Sequence, residues 1–206
     1  LIALAAVFVA GCGGAAEKTD APAQAQAAPA VDKNSKILVA YYSRAGDNFE
    51  VGVIDKGNTA IVAEMIAEKT GANLFEIKPV KSYPAEYREG TDVAKQEKNE
   101  HARPEVAALV DNLDQYDVIF LGYPIWWSDL PMAVYTFLER ENFSGKVIAP
   151  FCTHEGSGIG STEQYIEKAT QAKVLNGLEM RGSMAQNSPQ EAKEELAKWL
   201  DAIGLK

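Results

Sequence analysis

An α/β fold with a doubly wound parallel sheet is predicted for this chain by three observations. Apolar runs at 37–42, 117–122 and 146–152 lack the polar alternation of half-exposed strands, which is how strands covered on both faces read. Each run hands over to a polar or glycine-rich loop, and stretches with helical spacing separate them. The 206 residues, 47% of them hydrophobic, suit one domain with a full core and hardly two.

Taken in order, residues 1–12 read as the end of an export signal, an Ala- and Val-rich run too short to cross a bilayer as a helix. It closes on Val9-Ala10-Gly11-Cys12, which resembles a bacterial lipobox. That resemblance implies a lipid on Cys12 and a lipid-anchored place at the cell envelope. Residues 13–35 are Ala, Pro, Gln and Gly with almost nothing to bury, so a disordered tether is expected there and a folded domain over 36–206. With Cys12 lipidated, Cys152 has no disulfide partner and reads as a small buried hydrophobe.

The strand at 37–42 ends in a polar loop carrying Ser43 and Arg44, and a helix follows Gly57. Its stripe is Ile61, Val62, Met65 and Ile66, its stop Gly71, and Asn58 or Thr59 is a good N-cap. A strand, loop and helix in that order aim free N–H groups and the positive end of the helix dipole at one spot, which makes an anion site. No G-x-x-x-x-G-K-[ST] or G-x-G-x-x-G is present, so the loop offers hydroxyls and amides from Ser43, Asn58 and Thr59, with Arg44 as the nearby cation.

Residues 73–77 alternate polar and apolar like an edge strand, and 78–103 is a long polar segment expected to be a loop or lid over a site, with Tyr83 and Tyr87 as cover. Pro104 is expected to open a helix with Val106, Leu109, Val110 and Leu113 on one face. After the strand at 117–122 comes Tyr123-Pro124-Ile125-Trp126-Trp127, in which neighbouring rings must diverge, so at least one tryptophan should line a surface or cleft. Pro131 begins a helix with Tyr135 and Leu138 turned inward.

In the third strand, 146–152, pairing should thin at Pro150, which has no N–H to give. A loop of Thr153, His154, Glu155, Gly156, Ser157 and Gly158 follows, and Ser161-Thr162-Glu163-Gln164 has the spacing of a capping box. A short, weak strand is expected around 175–180. The last helix has Ser188 as N-cap, Pro189 at its first position and a stripe of Ala192, Leu196, Trp199, Leu200 and Ile203.

The net charge of -9 disfavours nucleic acid as a partner, and the cysteine and histidine content supports no metal site. A serine hydrolase would want a G-x-S-x-G elbow, which is missing.

Three loops at three strand ends, carrying S-R-A…G-N-T, P-I-W-W and T-H-E-G-S-G, together resemble the flavodoxin-like family over residues 36 to about 203. The resemblance implies a five-stranded sheet of order 2-1-3-4-5 and FMN held noncovalently. It implies that Ser43, Arg44, Asn58, Thr59 and Ala60 wrap the phosphate. Pro124, Ile125, Trp126 and Trp127 would cover a face of the ring, and Thr153, His154, Glu155, Gly156, Ser157 and Gly158 would border its other edge. The compact motif S-x-x-G-N-T is interrupted by residues 46–56, which leaves 46–48 or 57–59 as the phosphate contact; the latter is favoured because the helical stripe starts right after it.

The function implied is redox work, as an electron carrier or a reductase of quinone-like acceptors. The partner would be a redox protein or a small acceptor, and the N-terminal lipid would be the only membrane contact. His154 is the candidate catalytic residue, as a proton donor, against a loop-ordering hydrogen bond. The rival reading is a flavin-free binding or assembly module on the same fold.

Overall fold

The computed structural model describes residues 34–205. The export signal, Cys12 and nearly all of the tether lie outside the described residues. Among the described residues no helix is long and apolar enough to cross a membrane.

The elements run β1 (Ile37–Tyr41), β2 (Gly46–Asn48), β3 (Gly52–Ile54), α1 (Asn58–Thr70), β4 (Asn73–Glu76), α2 (Tyr87–Glu100) and β5 (Val118–Pro124). They continue with α3 (Met132–Arg140), β6 (Val147–His154), α4 (Thr162–Thr170), β7 (Lys173–Val174), β8 (Leu178–Arg181), α5 (Gly182–Asn187) and α6 (Pro189–Ala202). The main sheet is parallel throughout, in the order β4-β1-β5-β6, with β7 and β8 both paired to the outer edge of β6.

The doubly wound α/β class expected from the sequence is therefore found, and the detail differs. The sheet has six strands rather than five because the last position is shared by two short strands, and β2 and β3 form a separate antiparallel hairpin. Pro150 accounts for the split. β7 pairs with β6 at Val147 and Ile148, β8 pairs with it from Phe151 to His154, and Pro150 falls in the gap between them. β4 is the opposite edge, as its alternation predicts.

Alternate residues of the central strands build two cores. Val39, Phe120, Ala149 and Phe151 pack against Val62 and Ile66 of α1 and Leu196 and Leu200 of α6. Ile119, Leu121 and Ile148 pack the other way, against Phe137 and Leu138 of α3 and Ile166 of α4. Each of these buried Val, Leu, Ile and Phe side chains contributes roughly 1.5–3 kcal/mol relative to exposure. Both faces are covered, which is why these strands read as unbroken apolar runs.

Two expectations between β4 and β5 are overturned together. The 78–103 segment, expected as a loop, contains the fourteen-residue α2, which escapes notice because its only buried residues are Gly90 and Ala94. The helix expected from Pro104 does not form. Val80 N–H donates to Glu105 O and Ala107 N–H to Lys78 O, so 105–107 runs extended beside 78–80 with Val106 in the core. Only a short turn of 3-10 helix, Leu113–Gln115, follows. Apolar spacing at 106, 109, 110 and 113 was compatible with a helix, but the backbone partners were a distant segment.

The caps also differ. Gly57, not Asn58 or Thr59, is the N-cap of α1, and Ser161 and Ser188 occupy cap positions without a side-chain bond. Glu163 of the expected capping box instead accepts from Gly177 N–H at 2.6 Å.

Candidate functional site

A cleft of about 330 Å³ opens beyond the carboxyl ends of β1, β5 and β6. It brings together Arg44 and Asn58 of the first loop, Pro124, Ile125, Trp126 and Trp127 of the second, and Thr153, His154, Glu155 and Ser157 of the third. Ligands of open parallel sheets bind in such a crevice.

In the first loop, Ser43 Oγ accepts the N–H of Ala60 at 3.0 Å, drawing the loop onto the first turn of α1. Gly57 makes this approach possible, since a Cβ there would strike Ser43 Oγ and stand 2.5 Å from Arg44 O. Among the described residues no hydrogen bond closes on the N–H of Asn58 or Thr59, so the first two donors of a thirteen-residue helix remain open. They are a fitting cradle for a phosphate. Residues 46–48, the other reading of the interrupted motif, belong to the hairpin, where Asn48 Nδ2 donates to Gly46 O at 3.0 Å.

Two side chains assigned to phosphate by resemblance have other work. Arg44 donates to the carbonyls of Asp47, Pro84, Ala85 and Glu86, stapling the hairpin to the entry of α2. Its charge stays beside the cleft while its donors are engaged. The hydroxyl of Thr59 is buried and lies 2.7 Å from that of Thr153, so it supports the site from beneath.

In the second loop the two tryptophans diverge, as the alternation of side chains predicts. Trp126 is half-buried, its ring edge-on to Tyr42 at 5.4 Å and Tyr83 at 4.9 Å. Trp127 is 46% exposed and adopts φ 52°, followed by Ser128 at φ 60°. Two consecutive non-glycine residues in the left-handed region are strained and need support. The support comes from reciprocal backbone bonds between Trp126 and Asp129, from Trp127 Nε1 donating to Thr91 O, and from Lys98 Nζ bonding Trp127 O at 2.6 Å. Lys95 lies over the Trp127 ring at 4.9 Å.

In the third loop, His154 Nδ1 accepts from the N–H groups of both Gly156 and Gly158, at 2.9 and 3.2 Å. An Nδ1 that accepts twice carries no proton, so the ring is neutral with its proton on Nε2. Burial pushes the His154 pKa below its ordinary value, with the same sense. The loop-ordering reading is thus present in the geometry. Glu155 turns away to bond Ser183 N–H at 2.6 Å and Ser183 Oγ at 2.8 Å.

The sequence did not reveal this backing from α5. Gln186 Nε2 donates to Asn58 Oδ1 and Lys56 O, and a Cβ on Gly182 would strike Asn58 Nδ2 and approach Glu155 Oε1 to 3.0 Å. One short helix therefore props the first loop and the third together. Asn48 and Tyr87, named from the sequence as part of the alternative phosphate contact and as cover, both line the cleft wall, whereas Phe49, Gly90, Thr91 and Ala94 beside them were missed. The length of the 78–103 segment was the available signal for the last three. Cys152 is buried with its thiol pKa pushed up, chiefly by burial. Among the described residues no cluster could hold a metal ion.

A family profile described as flavodoxin matches residues 36–203. Flavodoxin 1 of Escherichia coli is 27% identical over 121 residues, a match covering 55% of this chain and about half, 49%, of that relative's length. Among solved structures, a Bacteroides eggerthii protein assigned as a flavoprotein is 30% identical with a TM-score of 0.67, covering 84% of this chain and 100% of the other. A Lactobacillus acidophilus flavoprotein in complex with FMN shares the fold at 21% identity and a TM-score of 0.56, covering 80% of this chain and 98% of the other.

Proposed function

Because this chain belongs to the flavodoxin family, we propose that it holds FMN noncovalently in this cleft and serves as an electron carrier or a reductase of quinone-like acceptors. The observation that carries the reading is the pairing, in one cleft, of Asn58 at the start of α1, where two N–H groups stay open, with Trp126 and Trp127 at the end of β5. An anion cradle and flat aromatic cover fit a phosphorylated ring compound at both ends.

Bound FMN would supply the redox chemistry, so the protein's task is to hold, shield and leave an edge open. Asn58 and Thr59 offer backbone donors to the phosphate. Trp126, braced by Tyr42 and Tyr83, offers a fixed aromatic surface. The third loop, pinned by His154 Nδ1, offers the backbone and Ser157 along the other side.

Titration of flavin-free protein with FMN, followed by quenching of flavin fluorescence, tests this directly. Saturation at micromolar concentration, with riboflavin binding much more weakly, is the expected result. Equal binding of riboflavin and FMN would remove the phosphate assignment, and no binding of either would leave the flavin-free module. The engagement of Arg44 and of the Thr59 hydroxyl elsewhere is what favours that second reading.

We further propose that Cys12 carries a lipid that holds the domain at the cell envelope, on the strength of Val9-Ala10-Gly11-Cys12. A redox protein or a small acceptor at the membrane would then be the partner. Fractionation of cells producing the full protein and its Cys12→Ser variant checks this: the first should go with membranes and the second should not.

A further inference from the structure

Trp126 lines the cleft, and its ring meets that of Tyr83 edge-on with centroids 4.9 Å apart. Tyr83 is not part of the cleft wall. Its hydroxyl donates to Glu97 Oε2 of α2 at 2.5 Å, and both residues line a second cavity of about 540 Å³, together with Lys81, Ser82, Val93 and Arg103. Two cavities are therefore joined by one ring contact and one hydrogen bond.

A tyrosine against a tryptophan is ordinary packing, and a carboxylate on a phenol is ordinary satisfaction of a half-buried hydroxyl. Their combination is not repeated. Tyr42 also meets Trp126, at 5.4 Å, and Tyr135 also donates to a carboxylate, Asp129 at 2.8 Å. Among the described residues Tyr83 alone does both. Burial holds the Glu97 pKa above its ordinary value, which makes the carboxylate a stronger base, and burial raises that of Tyr83, which keeps the phenol protonated.

The pairing has a chemical meaning. A phenol that loses an electron becomes a very strong acid, so it yields the electron readily only when a base already accepts its O–H. Rings in contact exchange electrons fast, because tunnelling falls steeply with distance. We propose that Trp126, Tyr83 and Glu97 form an exit for oxidising equivalents: an electron taken from Trp126 by an oxygen-derived radical or another one-electron oxidant in the cleft is replaced from Tyr83, whose phenolic proton passes to Glu97. The oxidant ends one electron reduced, Trp126 is restored, Tyr83 becomes a neutral phenoxyl radical and Glu97 a carboxylic acid. A small one-electron reductant of the ascorbate class, entering the second cavity, returns the electron, and Glu97 returns the proton. The need for such an exit rests on the redox reading of the cleft, whereas the route itself needs no cofactor.

The test therefore uses the full chain free of flavin. Azidyl radicals made by pulse radiolysis take an electron from tryptophan faster than from tyrosine at neutral pH, and absorbance then follows the two side-chain radicals. In the unaltered protein the tryptophanyl band should decay in a first-order phase, independent of protein concentration, while the tyrosyl band rises. Tyr83→Phe, which keeps the ring, and Trp126→Phe should each abolish that phase. Glu97→Gln, which keeps the shape and removes the base, should slow it on the order of a hundredfold. Ascorbate should hasten the later decay of the tyrosyl band. No such phase in the unaltered protein, or its persistence in Tyr83→Phe, overturns the route. An unchanged rate in Glu97→Gln overturns the proton step, and a decay indifferent to ascorbate overturns the second cavity as its outlet. Failure of the protein to bind FMN would remove the redox reading and leave each of these outcomes as decisive as before.

Discussion

The hydroxyls of Thr59 and Thr153 lie 2.7 Å apart in a buried contact that joins the first turn of α1 to the end of β6. Residues separated by 94 positions thus share one polar bond under the floor of the cleft. Thr59→Val or Thr153→Val alone should cost about 1–3 kcal/mol, because the remaining hydroxyl is buried without a partner. The double variant should cost less than the sum of the two. Urea unfolding of the four proteins measures the coupling, and strict additivity would mean the contact contributes nothing.

Acidification should loosen the third loop through His154. Its folded pKa is lowered below the ordinary 6.5, so the unfolded or opened loop binds the proton more readily than the ordered one. The stability it lends is present above pH 6.5 and is lost as pH falls through the lower folded value. FMN affinity should decline in that window. His154→Asn, whose side-chain oxygen can accept the same N–H groups without titrating there, should flatten the decline. A dissociation constant with the same pH dependence in both proteins would contradict this.

Gly182→Ala should weaken FMN binding about tenfold, on the order of 1.4 kcal/mol, without altering any residue that touches the cofactor. The added methyl strikes Asn58 Nδ2 and crowds Glu155, so both loops shift. Ser183→Ala, which removes one of the two bonds to Glu155, should have a smaller effect. Calorimetric titration with FMN compares the three proteins, and an unchanged affinity in Gly182→Ala would show that α5 does not position Asn58.

Lys98→Met should destabilise the Trp126–Asp129 turn by removing the bond to Trp127 O and the ion pair with Asp129 at 3.3 Å. With Trp127 and Ser128 both left-handed, a loss of about 1 kcal/mol is expected. Hydrogen exchange at the N–H groups of Trp126 and Asp129 should quicken by about a factor of five. Unchanged protection there would place the strain elsewhere.

Cys152 should be inert to thiol reagents in the folded protein and react once it is unfolded. Its side chain is buried and its pKa is raised, so almost no thiolate exists at the surface. Titration with a chromogenic disulfide before and after denaturant separates the two states.

The central sheet was legible in advance because a strand covered on both faces must be apolar at every position, and 37–42, 118–122 and 147–152 are. The position of the three loops followed, since the ends of parallel strands in one sheet lie together. Pro150 announced the break between β7 and β8, and the neighbouring tryptophans announced that one of them would face outward. Placement decided the rest. Whether 87–100 or 104–113 forms the helix depended on Lys78 and Val80 offering backbone partners to Ala107 and Glu105. Whether Arg44 and Thr59 face a ligand or the protein depended on Pro84 and Thr153 reaching them first. Local sequence carries the cost of exposing or burying each side chain, whereas a hydrogen bond between distant residues exists only after the sheet has set them side by side.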